Sequence, residues 1–186
     1  PKIRAIQKTV MKAMQLIGLS SLLLTSCDQA KEPDALLDEA VKEISAKFST
    51  VNQISTGELA AWLDDPNREP PLLLDVREPE EFAVSHLPDA IRVAPGATAD
   101  QIRDEIDLSR PLVLYCSIGY RSAALAERIN AARANKAVNL EGSLFKWANE
   151  GRPLRRKDEA TEQAHPYNKK YGRMLREPLR AELGVQ

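Results

Sequence analysis

The chain has 186 residues, 43% of them hydrophobic and 28% charged, which suits one globular domain with extensions and leaves little room for two. A formal net charge of -1 gives no overall pull toward nucleic acid or acidic substrates, and no Cys/His cluster has zinc-ligand spacing, so no nucleic acid, metal or cofactor is expected. There are two cysteines, Cys27 and Cys116, which leaves a single disulfide as one reading to be weighed.

Residues 1–26 read as an address rather than part of a fold. Lys2, Arg4, Lys8 and Lys12 make a basic start with no acid among them. The apolar stretch Leu16 to Leu24 follows, shorter than the about 20 residues that span a bilayer. Thr25 and Ser26 then lead into Cys27, and the order basic, apolar, small is that of a secretory signal peptide. Leu24-Thr25-Ser26-Cys27 resembles the bacterial lipoprotein box. The resemblance implies cleavage before Cys27 and lipid modification of that residue, with several acyl chains giving a stable anchor. Asp28 resembles the inner-membrane retention signal of enterobacterial-type lipoproteins, which implies the periplasmic face of that membrane. A lipidated Cys27 cannot pair, so Cys116 would be the single thiol of the mature domain. A lone thiol in an oxidising compartment points to use of the thiol itself. The alternative for this segment is a buried helix with a free thiol.

Residues 27–50 read as a tether and amphipathic helix, with Leu36, Leu37, Ala40, Val41, Ile44 and Phe48 at helical spacing. The domain proper is expected over residues 51–154. Ser55 to Glu58 fits a capping box that starts a helix through Leu59, Trp62 and Leu63. Leu72-Leu73-Leu74 with Val76 is a short apolar run expected as a strand buried on both faces. Pro79-Glu80-Glu81-Phe82 starts a helix, Ala90 to Val93 is a brief strand, and Ala99 to Ile106 is helical. Leu112-Val113-Leu114-Tyr115 is a second buried strand, followed by a loop and a helix from Ser122. Ala137 to Leu140 is the last strand, and Ser143 is expected to cap a helix that Gly151 and Pro153 stop. Strands alternating with helices predict an α/β, doubly wound fold: a short parallel sheet flanked by helices, with ligands bound outside the carboxyl ends of the strands. Cys116 sits at one such end; Asp75, Val76 and Arg77 sit at another. Residues 155–186 form a basic C-terminal tail. It either contacts anionic lipid heads or packs on the domain through Tyr167, Tyr171, Met174 and Leu175, the second being the favoured reading.

The loop Cys116-Ser117-Ile118-Gly119-Tyr120-Arg121 carries the chemistry. A strand-to-helix loop can turn its N–H groups inward and, with the helix dipole, make an anion site. A thiol there sees positive potential, so its pKa should fall and the thiolate should populate. Gly119 permits a backbone conformation closed to residues with side chains. Arg121 adds a planar donor fork. A cation at a helix start opposes the dipole unless an anionic centre lies beside it. Taken alone, a strand-end Cys is more often a small buried hydrophobe.

Leu73-Leu74-Asp75-Val76-Arg77-Glu78-Pro79-Glu80-Glu81-Phe82, then Ser85-His86-Leu87-Pro88-Asp89-Ala90, then the Cys116 loop, then Leu140-Glu141-Gly142-Ser143 with Trp147 and Gly151-Arg152-Pro153, resemble in this order a single-domain rhodanese over about 100 residues. The resemblance implies a sulfurtransferase in which Cys116 attacks the outer sulfur of a small donor, thiosulfate or a persulfide. Loop N–H groups hold the resulting persulfide, and a thiol or cyanide acceptor removes its terminal sulfur. Arg121 would orient the anionic donor, and Asp75 and Arg77 would support the loop. His86 reads as a residue of its turn, and His165 has no partner identifiable from the sequence. Ser117 departs from the many catalytic members that carry Arg directly after the Cys; that removes a charge that would attract thiosulfate and puts this donor in doubt. A Cys-based phosphatase or arsenate reductase also uses a Cys-to-Arg loop, with one residue more between the two. A non-catalytic rhodanese module that binds a partner at the membrane and a redox sensor working through sulfenic acid are the other readings.

Overall fold

The computed structural model describes residues 31–106, 109–132 and 137–183. The expected signal peptide, the lipoprotein box and Cys27 lie outside the described residues. In chain order the elements are α1 (Pro33–Lys47), β1 (Gln53–Ile54), α2 (Thr56–Leu63), β2 (Leu72–Asp75), α3 (Pro79–Val84), β3 (Ile91–Arg92), α4 (Ala99–Glu105), β4 (Leu112–Tyr115), α5 (Tyr120–Ala132), β5 (Ala137–Leu140), α6 (Ser143–Asn149), β6 (Leu154–Arg156), β7 (Glu159–Thr161) and α7 (Lys169–Gly172), with a 3-10 turn at Glu177–Leu179.

Strands β1 to β5 form one parallel sheet in the order β1-β5-β4-β2-β3. The alternation of side chains along a strand sends Leu112 and Leu114 of β4 to one face and Val113 and Tyr115 to the other, and each pair enters a separate apolar layer. One layer holds Ile102, Leu125 and Ile129 of α4 and α5. The other holds Leu59 of α2 and Leu144, Phe145 and Trp147 of α6. Covering on both faces is why β4 is a continuous apolar run with all four residues buried. Connections leave in opposite directions from β2 and β4, whose register runs from Leu72 opposite Leu112 to Asp75 opposite Tyr115. A crevice opens at the carboxyl ends of two such strands, and Cys116 follows β4 there.

Local signals place the helices as the sequence predicts, with two differences. The capping box forms: Glu58 N–H donates to Ser55 Oγ at 3.2 Å and Ser55 N–H donates to the Glu58 carboxylate at 2.9 Å. The helix after the Cys loop starts at Tyr120 rather than Ser122, so Tyr120 and Arg121 stand in its first turn and the loop proper is Cys116 to Gly119. Ser143 does not cap α6. Gly142 occupies that position in the left-handed region at φ 67°, Ser143 follows at φ 51°, and its hydroxyl turns back to donate to Leu140 C=O at 3.1 Å.

Both extensions fold onto this sheet. Helix α1 buries Leu37 and Ile44. The C-terminal segment buries Ala164 and Leu175 completely, and β6 opens at Leu154, where the domain was expected to end. Tyr171 and Met174 pack half-buried against the same layer, while Tyr167 stays exposed. Asn149 at the end of α6 ties the two extensions together. Its Nδ2 donates to Asp34 Oδ1 at 2.8 Å and to Met174 C=O at 2.9 Å, and its Oδ1 accepts from Arg176 N–H at 2.9 Å. Arg176 also pairs with Asp34 at 2.7 Å. Among the described residues no helix is long and apolar enough to cross a membrane.

Asn149 is buried, so truncating it strands polar groups on both extensions at once. Asn149→Ala should cost about 1–3 kcal/mol in urea unfolding. Hydrogen exchange should rise together in α1 and in residues 169–180; a rise in one segment alone would contradict the coupling.

Candidate active site

Cys116 is 2% exposed at the end of β4, and its backbone is fixed by α6. Cys116 N–H donates to Ser143 Oγ at 3.2 Å. Leu144 N–H donates to Cys116 C=O at 3.1 Å, and Phe145 N–H donates to Ser117 C=O at 3.0 Å. The unpaired N–H groups that open a helix therefore hold two loop carbonyls. Because a trans peptide points its N–H opposite its C=O, the N–H groups of Ser117 and Ile118 are turned away from α6. Gly119 closes the loop, with its N–H donating to Cys116 Sγ at 3.2 Å. It does so at φ 108°, where a Cβ would stand 3.2 Å from Asn139 Nδ2, so both the conformation and the space call for glycine.

Burial pushes the Cys116 thiol up, but the Arg121 charge and hydrogen bonding from Ser122 and Gly119 outweigh it, and the net direction is down. The Ser122 hydroxyl, fully buried on the first turn of α5, has no other hydrogen-bond partner. Ser122 is a site residue that the sequence reading passed over as a helix start.

Arg121 is arranged differently from the expectation. Its guanidinium is paired with a carboxylate: Nη1 donates to Glu81 Oε2 at 2.6 Å and Nη2 to Glu81 Oε1 at 2.8 Å. Ser117 Oγ joins the pair, donating to Glu81 Oε1 at 2.9 Å and accepting from Arg121 Nη2 at 3.0 Å. Glu81 is 2% exposed. Burial raises its pKa, while Arg121, Glu78 N–H and Ser117 lower it further, so it remains a carboxylate. Glu81 was read only as part of a helix start. The signal that could have found it is Arg121 itself, a cation at a helix N-terminus that needs an anion beside it.

Asp75 and Arg77 lie one layer back. Arg77 Nε donates to Asp75 Oδ1 at 2.9 Å and Nη2 to Oδ2 at 2.6 Å, and Nη2 also reaches Ser85 C=O at 2.5 Å. The guanidinium carbon stands 6.0 Å from the Tyr115 ring centre, and Tyr115 OH accepts from Leu87 N–H at 3.0 Å. Their contact with the loop is therefore indirect, through the residue that precedes Cys116. His86 is stacked on Phe82 at 4.2 Å and bridged to Arg155, within its turn. His165, for which the sequence suggested no partner, accepts Tyr167 N–H on Nδ1 at 3.0 Å and lies within electrostatic reach of Glu81 and Arg121. Burial lowers its pKa.

The thiol stands at the bottom of a cleft of about 420 Å3. Leu36, Ala40 and Ile44 of α1 line it together with Tyr167, Tyr171 and Met174 of the C-terminal segment and Ile118 of the loop. Tyr120 and Tyr167 are each 44% exposed. The Tyr167 ring centre lies 4.9 Å from the Arg121 guanidinium carbon. Among the described residues no group of three or more His, Cys, Asp or Glu is placed to hold a metal ion.

Fold and site together define an α/β protein with a buried thiol at a strand end, in a loop whose Gly119 N–H donates to the sulfur. The chain belongs to the rhodanese-like domain family, whose model matches residues 55–150. It is 33% identical over 104 residues to a sulfurtransferase of Allochromatium vinosum, covering 56% of this chain and 94% of that protein. It is 33% identical over 76 residues to the thiosulfate sulfurtransferase GlpE of Pseudomonas syringae, covering 41% of this chain and 71% of that protein. The crystal structure of a thiosulfate sulfurtransferase from Pseudomonas aeruginosa shares the fold, with a TM-score of 0.53 at 19% identity over 67% of this chain and 23% of its own.

The charge pair predicts opposite effects on the thiol. Arg121→Gln should slow iodoacetamide alkylation of Cys116 at neutral pH several-fold, because a cation that favours the thiolate is lost. Glu81→Gln should quicken it, because Arg121 then faces the sulfur without its counter-charge. Equal rates in both variants would show that the pair does not act on the thiol.

Proposed function

We propose that this protein is a sulfurtransferase that carries sulfane sulfur as a persulfide on Cys116. The observation that carries the reading is the Gly119 N–H aimed at Sγ within a loop whose carbonyls are pinned to α6. A thiolate is the nucleophile in persulfide chemistry, and this loop favours it. In the first half-reaction the Cys116 sulfur attacks the outer sulfur of the donor, the donor's S–S bond breaks, and the leaving group departs as sulfite or a thiolate. The Ser122 hydroxyl, without another partner, is available to donate to the added sulfur. In the second half-reaction a thiol or cyanide takes that sulfur and Cys116 leaves as the thiolate. The relatives named sulfurtransferases support the same chemistry. Thiosulfate is the weaker candidate donor, since Ser117 stands directly after the Cys and Arg121 is neutralised by Glu81. Asp75 and Arg77 act as positioning residues through Tyr115.

The order of residues 1–28 supports a lipid-anchored location, with cleavage before Cys27, acylation of Cys27 and residence at the periplasmic face of the inner membrane. Labelled fatty acid should enter the full chain and fail to enter Cys27→Ala; equal labelling would refute the anchor.

Incubation with thiosulfate or a persulfide donor should raise the intact mass by one sulfur atom. A thiol should remove the gain, and Cys116→Ser should abolish it. No gain with any donor would overturn the proposal.

A further inference from the structure

Apart from the loop and Tyr120 and Arg121 on the first turn of α5, the residues that line the Cys116 cleft come from outside residues 55–150, the span matched by the family model. Leu36, Ala40 and Ile44 come from the N-terminal helix; Tyr167, Tyr171 and Met174 come from the C-terminal extension. The domain common to the family supplies the sulfur, and these two added segments supply the space in front of it.

That space is poorly suited to a small inorganic anion. At about 420 Å3 it falls in the range of about 300–1,000 Å3 in which sites enclose drug-sized ligands, far larger than thiosulfate or cyanide. Arg121 already shares its charge with Glu81. The other ionic groups on the lining are of both signs: Lys170, and Glu39 and Glu43, with Glu39 paired to Lys31 at 2.5 Å. Apart from Cys116 and Ser117 of the loop, the remaining lining side chains are aliphatic, aromatic or thioether. Among the described residues, two of the four exposed large hydrophobic side chains, Tyr120 and Tyr167, stand at this one cleft. Exposed apolar surface gathered around a reactive group marks a binding surface.

Tyr167 is also held in an unfavourable conformation. Its φ of 63° is one that few residues with side chains adopt, and the turn is closed by its N–H donating to His165 Nδ1. The conformation keeps the ring over Arg121 and 5.6 Å from the Tyr171 ring, on the cleft rather than in the core. Backbone strain at a ligand-facing position is where a fold keeps a functional residue.

We infer that the cleft selects a small organic thiol with an apolar or aromatic body, together with its persulfide, and that Tyr167 and Leu36 on its lining determine that choice. The inference rests on the sulfurtransferase reading above. The acceptor enters as a thiolate, its proton having gone to solvent. Its sulfur attacks the outer sulfur of the Cys116 persulfide; a new S–S bond forms, the bond to Sγ breaks, and Cys116 leaves as the thiolate. The sulfane sulfur keeps its oxidation state, so no external oxidant or reductant is needed.

The test uses the full chain, loaded with sulfane sulfur from excess thiosulfate or inorganic polysulfide and checked by intact mass. Single-turnover transfer is then followed to phenylmethanethiol, 2-mercaptoethanol and cyanide. The wild-type protein should saturate with phenylmethanethiol at a concentration at least tenfold below that for 2-mercaptoethanol. Tyr167→Gly suits the backbone at φ 63° and removes the ring; Leu36→Asp places a charge on the lining contributed by α1. Each should raise the half-saturating phenylmethanethiol concentration at least fivefold more than that for cyanide, with the limiting rate less affected. Equal half-saturation for the two thiols, or losses shared equally with cyanide, would overturn the inference while leaving the sulfurtransferase reading intact. Failure to load at all would overturn the reading and the inference with it.

Discussion

The carboxylate of Glu81 beneath the first turn of α5 is the constraint on which the site depends. A guanidinium at a helix N-terminus is repelled by the helix dipole, and a buried carboxylate is costly without a partner. Placed together, each removes the other's penalty, and Ser117 Oγ fills the gap between them. The result is a rigid side wall for the loop that carries Cys116. The opposite side is held by α6, whose opening N–H groups take the loop carbonyls. Between these two supports the backbone has little choice, and the Gly119 N–H is left aimed at the sulfur.

The same balance of charge bears on what the thiol meets. A loop with a second, unpaired cation would draw in any small anion. Here the Arg121 guanidinium is already paired with Glu81, which weakens attraction at long range and, on the proposed reading, leaves selection to shape and apolar contact. The two extensions provide that contact. They are joined through Asn149, which bonds to Asp34, Met174 and Arg176, so the two extensions that line the cleft are parts of one hydrogen-bonded unit. Loss of order in one extension is therefore expected to loosen the other as well.

Much of this was legible in the sequence because local signals agreed with the global fold. The capping box at Ser55, the continuous apolar runs at Leu72 and Leu112, and the ordered rhodanese-like segments all pointed to a parallel sheet with Cys116 at a strand end. What escaped was mostly long-range. Glu81 and Arg121 are 40 residues apart, and no periodic pattern links them. Tyr167 and Leu36 meet at the cleft only because the chain ends fold back across it. The β6–β7 hairpin is short and polar, with little alternation to reveal it. Ser143 looked like an ordinary helix cap; the left-handed pair Gly142 and Ser143 instead turns its hydroxyl toward Cys116.

The proposed persulfide carrier depends on the charge state of one sulfur. Its most direct measurement is the ultraviolet absorbance of the thiolate against pH, with Cys116→Ser as the blank so that only this thiol is counted. The midpoint is expected below the about 8.5 of a free cysteine, with absorbance lost as pH falls through it. A midpoint at or above the free value would show that burial wins over the loop N–H groups and Arg121, and would contradict the proposed persulfide carrier.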